Sequence, residues 1–159
     1  MLSDRRFAQL ARDHAGAVTA YARAIAPDRW TADDAVQETL LRAWTYRDSY
    51  RASGSFEGWL IRICRNCLID LAAKPVEQPL PVVPDRCVTS DGLSELHDLL
   101  ARLPVHQREV VALCALLGFD YEGAAEVLAV PVGTVRSRLH RARAAIADQL
   151  NRPGAEAAG

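Results

Sequence analysis

A chain of 159 residues, half of them hydrophobic, has the length for one ordinary domain or two small ones and too much apolar content for wholesale disorder. Its 19 basic and 20 acidic residues leave a net charge of −1, which excludes a uniformly basic, nonspecific nucleic-acid binder. No apolar run approaches a membrane span and no charged-then-apolar leader opens the chain, so a soluble cytoplasmic protein is expected.

Every sizeable segment has helical rather than alternating periodicity. Phe7, Leu10, Ala11, Val18, Tyr21, Ala22 and Ile25 place a first helix over 3–25. Thr31 reads as the N-cap of a second, with Asp33 and Asp34 at the positive end of its dipole and Val36, Leu40, Leu41 and Trp44 as apolar positions. The stretch from Ser49 to Ser55, which contains Gly54, reads as a loop, and a third helix runs from Glu57 to Ala73.

That third helix carries Cys64 and Cys67. A C-x-x-C pair admits zinc or redox chemistry, but the flanking residues are strongly amphipathic and a second Cys/His pair at ligand spacing is missing. Small buried thiols are the better reading. With Cys87 and Cys114 the four cysteines are too scattered for a disulfide framework.

Composition changes after Lys74. Pro75, Pro79, Pro81 and Pro84 fit neither helix nor strand, so 74–92 reads as a proline-rich linker, or as a loop packed within a single domain. Helices resume over about 93–101, 105–117, 121–128 and 132–150. Pro104 suits a helix start, Gly118 a helix end and Asp120 a cap, while Pro153 to Gly159 reads as a frayed tail. The fold expected is all-α: two small helical domains, 1–73 and 93–152, joined by that linker.

The last helix is the most informative. Residues 136–143 hold four arginines and a histidine with no acid among them, whereas Arg102 and Arg108 are outnumbered by acids over 93–135. Val135, Leu139, Ala142 and Ile146 form one apolar stripe, so Arg136, Ser137, His140 and Arg141 project from the other side. A polar helix face is ordinarily just solvated. A single-signed row of forked guanidinium groups, one tight turn after a short helix, points instead to helix-turn-helix DNA recognition.

Three blocks resemble a bacterial extracytoplasmic-function (group 4, sigma-70 family) RNA polymerase sigma factor. The run from Asp33 to Trp44 is similar to region 2.2, Phe56–Asp70 to regions 2.3–2.4, and Leu103–Val110 with Tyr121–Arg143 to region 4. The resemblance implies a transcription initiation subunit without catalytic activity or cofactor, whose partners are core polymerase (its β′ and β subunits), promoter DNA and an anti-sigma factor. The region 2.2-like helix would dock on the β′ coiled coil through Asp34, Gln37, Glu38 and Arg42. Tyr50, Ser53 and Ser55 of the loop, with Arg62, Arg65, Asn66 and Asp70 of the next helix, would read the melted −10 element, for which base pockets and stacking are needed. Trp59 is expected to pack in the core. The last helix would enter the major groove at the −35 element, Arg136 and Arg141 reading bases, Ser137 and His140 on the same face, Arg138 and Arg143 on the backbone.

The chain departs from the family pattern at two places. Leu71-Ala72-Ala73-Lys74 stands where relatives commonly carry a basic run, which removes phosphate contacts. Gly123 stands where many have glutamate, which weakens the capping box after Asp120. The first departure leaves open a sigma-like decoy that binds an anti-sigma protein without reading promoters. A third reading is a helix-turn-helix regulator using 93–150 alone.

Overall fold

The computed structural model describes residues 2–74 and 91–152, with 91–94 described by backbone only. Seven helices make up the fold, and no strand occurs among the described residues: α1 (Asp4–Ile25), α2 (Arg29–Thr45), α3 (Phe56–Ala73), α4 (Asp91–Ala101), α5 (Val105–Val111), α6 (Tyr121–Leu128) and α7 (Val132–Asn151). Most of the 74–92 stretch and the tail from Pro153 fall outside the described residues. Asp91 and Gly92 are helical, so α4 begins two residues before the expected start.

Local chemistry sets the helix starts. Ser3 caps α1 by accepting from the Arg6 amide, and Ser55 caps α3 by accepting from the Gly58 amide at 3.1 Å. The cap of α2 is Asp28, not Thr31. Asp28 Oδ1 accepts from the Thr31 amide at 2.7 Å and Oδ2 from the Thr31 hydroxyl at 3.1 Å. A carboxylate two residues beyond Ala26 satisfies an orphan amide better than a threonine already inside the first turn.

α1, α2 and α3 pack on one another as a three-helix unit. The buried face of α2 is Ala32, Ala35, Thr39 and Ala43, small residues that let its backbone approach α1 and α3. Val18, Tyr21, Leu60, Ile61, Cys64 and Cys67 fill the space between them. Both thiols of the C-x-x-C are thus in the core; burial pushes Cys64 up to about 11, and Cys67 is raised for the same reason.

In the second unit α5 widens into one π turn, Ala112–Leu116, where a continuous α-helix was expected. The Leu117 amide donates to the Ala112 carbonyl and the Phe119 amide to the Leu113 carbonyl, so the chain leaves through Gly118 in the left-handed region, φ 74°. α6 and α7 then form a helix-turn-helix. Its turn carries Ala129 at φ 53°, a left-handed C-cap on a residue with a Cβ. Val135, Leu139 and Ala142 are buried, with Ile146 half-buried beside them, as the apolar stripe requires.

The two units touch. α3 packs on α6, and α1 packs on α4 and α5.

Candidate nucleic-acid and polymerase interface

α7 presents its arginine row to solvent. Arg136, Ser137, His140, Arg141 and Arg143 are exposed, and Arg138 is half-buried at the margin of the packed face. The Arg136 guanidinium carbon lies 5.7 Å from the centre of the Tyr121 ring, so the first residue of α6 offers that arginine an aromatic face. Asp120 caps α6 by accepting from the Gly123 amide at 2.7 Å. A Cβ on Gly123 would lie 2.9 Å from Asp120 Oδ1 and 3.2 Å from Phe119 Cδ1. Glycine therefore lets the capping carboxylate close in tightly here, and the helix forms without the glutamate that completes a capping box.

Between α2 and α3 a 3₁₀ turn, Arg47–Ser49, leads into the loop. The loop is built around an aromatic cluster: Tyr50 meets Phe56 edge-on with centroids 5.1 Å apart and lies 5.4 Å from Trp59. The Tyr50 hydroxyl donates to the Gly54 carbonyl at 2.9 Å, which closes the loop on itself. His14 reaches across from α1 to Glu57 at 2.8 Å, pinning the first turn of α3 beneath the same cluster. Ser53 is exposed, whereas Ser55 spends its hydroxyl on the helix cap. Trp59 is half-buried against Tyr50 and Phe56, at the edge of the core rather than within it.

Along α3, Arg62, Asn66 and Asp70 form an exposed row, and Arg65 is half-buried beside it. Two of these residues are engaged by the second unit. Arg62 Nη2 donates to the Glu126 carbonyl, and Arg65 Nε donates to Glu109 Oε1 at 2.9 Å. Glu109 is only 5% exposed, and its carboxylate lies beside the buried Tyr21 hydroxyl, whose pKa burial and then Glu109 push above its ordinary value. The loop, Trp59 and Arg62 form one wall of a cleft of about 550 Å³; Phe119, Asp120 and Glu126 supply the other.

On α2, Asp34 and Gln37 are exposed and share a face with Trp30, Leu41 and Trp44, which are 73%, 65% and 42% exposed. Leu41 and Trp44 were expected to point into the core. The narrow alanine face fills that role, so the large apolar groups remain outside as part of a mixed surface. Periodicity alone had a signal for this, because apolar residues surround α2 rather than lining one side. Glu38 and Arg42 turn toward the C-terminal end of α3, where Arg42 bridges to Asp70. Ile69, 49% exposed, extends the apolar surface there. Among the described residues no group of three or more His, Cys, Asp or Glu side chains is placed to hold a metal ion, and no helix is long and apolar enough to cross a membrane.

Residues 10–74 match the family described as Sigma-70 region 2, and residues 93–146 match Sigma-70, region 4. The ECF RNA polymerase sigma factor EcfG of Rhodopseudomonas palustris is 33% identical over 86% of this chain and 81% of its own length. The chain belongs to the ECF RNA polymerase sigma factor family. SigM of Mycobacterium tuberculosis is 34% identical over 91% of the chain and 76% of its own length. SigE of Mycolicibacterium smegmatis is 34% identical over 94% of the chain, which spans only 63% of that relative.

Solved structures agree across both units. CnrH in complex with the cytosolic domain of CnrY has a TM-score of 0.76 at 29% identity, covering 96% of this chain and 92% of that one. The sigma factor RpoE of Bartonella quintana, in complex with the anti-sigma factor NepR, has a TM-score of 0.78 at 28% identity, covering 93% and 98%.

Proposed function

We propose that this ECF family member directs promoter-specific transcription initiation by binding core polymerase and two promoter elements. The observation that carries the reading is the exposed, single-signed face of α7, backed by a buried apolar stripe and preceded by α6 across a tight turn. A major groove admits such a helix, and forked guanidinium groups pair with guanine edges. Arg136 and Arg141 read bases at −35, Ser137 and His140 line the same groove face, and Arg138 and Arg143 hold phosphates. Tyr50, Ser53, Arg62, Arg65, Asn66 and Asp70 meet the −10 strand, with Ser55 shaping their loop as a cap. The outward face of α2, with Asp34, Gln37, Glu38 and Arg42, docks on the β′ subunit, and Trp30 and Leu41 add the apolar anchor that charged residues alone lack.

An anti-sigma protein is the expected regulator, because two sigma factors of similar structure were solved with such or comparable partners. The protein then acts in the cytoplasm, where core polymerase and promoter DNA are. A decoy that binds the anti-sigma protein without reading promoters is the second reading. It is favoured by the exposed Ala72-Ala73-Lys74 end of α3, which offers one cation where relatives carry several.

Co-elution tests the two. The full chain is mixed with bacterial core polymerase and passed over a sizing column, then offered labelled duplex carrying a −35 element. Co-elution with core and retention of the duplex is the expected result. Failure to bind core overturns the proposal, and core binding without DNA retention favours the decoy.

A further inference from the structure

We infer that the two units form an autoinhibitory clasp, in which the second unit occupies the arginines that α3 presents to the −10 strand. The inference rests on the reading of α3 as the −10 helix. Its physical content is competition for the same guanidinium groups.

Three contacts make the clasp. Arg65 donates to Glu109 Oε1 at 2.9 Å, a pairing between residues 44 apart in the chain. Arg62 donates to the backbone carbonyl of Glu126 near the end of α6. Arg108, from α5, donates to the Ile25 carbonyl at 3.0 Å, satisfying the negative end of the α1 dipole. Around them the packing is close: a Cβ on Gly58 would sit 3.5 Å from Val127 Cγ2 and 3.6 Å from Phe119 Cε1. The cleft over Tyr50 and Ser53 is walled by α6, so the loop that meets an unstacked base faces protein in this state.

The same contacts keep the clasp weak. Glu109 is taken almost wholly out of water, yet its Oε2 accepts no hydrogen bond from the described residues, and Arg108 Nε is likewise buried without a partner. Desolvating a carboxylate offsets much of what its ion pair returns. Opening gives both groups back to water, and a phosphate backbone supplies Arg62 and Arg65 with new anions. Closed and open forms are therefore near in free energy, and the apparent affinity for DNA is reduced by the open fraction.

Two variants test this by different chemistry. Glu109→Ala removes the carboxylate that holds Arg65, and Gly58→Phe drives a wedge against Val127 and Phe119 without touching a charge. Each is examined by small-angle scattering and by binding of a single-stranded −10-type oligonucleotide to the full chain, with circular dichroism to verify folding. Both variants are expected to enlarge the radius of gyration by several ångström and to raise strand affinity about tenfold, the gain expected if about a tenth of the wild-type chain is open. Arg62→Ala combined with Arg65→Ala in the opened Gly58→Phe chain should abolish that gain. Larger radii with strand affinity unchanged from a measurable wild-type value overturn the clasp and leave the −10 reading standing. No strand binding in any form overturns the −10 reading and the clasp with it. A wild-type radius equal to that of the wedge variant overturns the clasp alone.

Discussion

Arg42 of α2 and Asp70 of α3 meet at 2.8 Å, Nη1 donating to Oδ2, while Nε of the same guanidinium donates to Glu38 Oε1 at 2.7 Å. The proposed polymerase face and the proposed −10 helix are therefore tied through one side chain. Asp70→Asn is expected to leave the melting temperature nearly unchanged, because more than half of Asp70 is exposed and such bridges are well screened. Affinity for a β′ coiled-coil fragment should fall several-fold as Arg42 loses its orientation, and Arg42→Ala should fall at least as far. Equal affinities in wild type and Arg42→Ala would remove Arg42 from the docking face.

The α7 row makes a sharper prediction. Arg136→Ala and Arg141→Ala should each relax −35 selectivity by about 1–3 kcal/mol at one base position, measured by competition between duplexes that differ at that position. Tyr121→Phe should keep selectivity, since the ring that faces Arg136 remains, and Tyr121→Ala should lose part of it. Unchanged selectivity in both arginine variants would dismiss α7 as the reading helix. Loss in Arg136→Ala with none in Tyr121→Ala would dismiss only the role of the ring.

At the end of α3, the exposed alanines can be given back the charge that relatives carry. Ala72→Arg together with Ala73→Arg should steepen the salt dependence of −10 strand binding, by a slope of about 0.7 for each new phosphate contact on a single strand. A titration of affinity against salt concentration reads this directly. An unchanged slope would place this end of the helix away from the DNA backbone.

The buried thiol makes stability fall at alkaline pH. Cys64 holds its proton up to about 11 in the fold against 9.0 as an ordinary thiol, so between these values the folded chain binds more protons than the unfolded one. Stability from this source is complete below about pH 9 and declines as pH rises toward 11, by roughly 2–3 kcal/mol in all. Tyr21, raised by burial and by Glu109, acts with the same sign. Cys64→Ser should flatten the decline seen in urea midpoints between pH 8.5 and pH 10.5, a window set by the shifts above. At neutral pH a thiol reagent should modify Cys114, which is half-buried, before Cys64 or Cys67.

Helix content and the recognition face were legible in the sequence because each depends on residues a few positions apart. The stripe of Val135, Leu139 and Ala142 needs only helical spacing to place Arg136 and Arg141 in solvent. The cap of α2 was misread one turn late, since Asp28 and Thr31 are both good capping residues and only the backbone distinguishes them. The outward Leu41 and Trp44 were misread for a different reason. Hydrophobicity was taken to mean burial, but the packing distance between α1, α2 and α3 is set by alanines, and bulky groups have no room inside.

Contacts between the units were illegible altogether. Arg65 with Glu109 and Arg108 with Ile25 join residues 44 and 83 positions apart, and no periodicity links them. Each of those side chains also has an ordinary local reading as a polar residue on a helix surface. Only docking of α6 on α3 gives them partners.

Promoter-dependent transcription tests the central claim most directly. The full chain is added to sigma-free bacterial core polymerase with a template library in which the −35 and −10 positions vary, and run-off transcripts are sequenced. A promoter-specific initiation subunit should enrich one −35 and −10 pair at a fixed spacing, with Arg136→Ala and Arg141→Ala broadening the −35 half alone. Core polymerase that binds the chain yet yields no transcript above the sigma-free background would contradict the account.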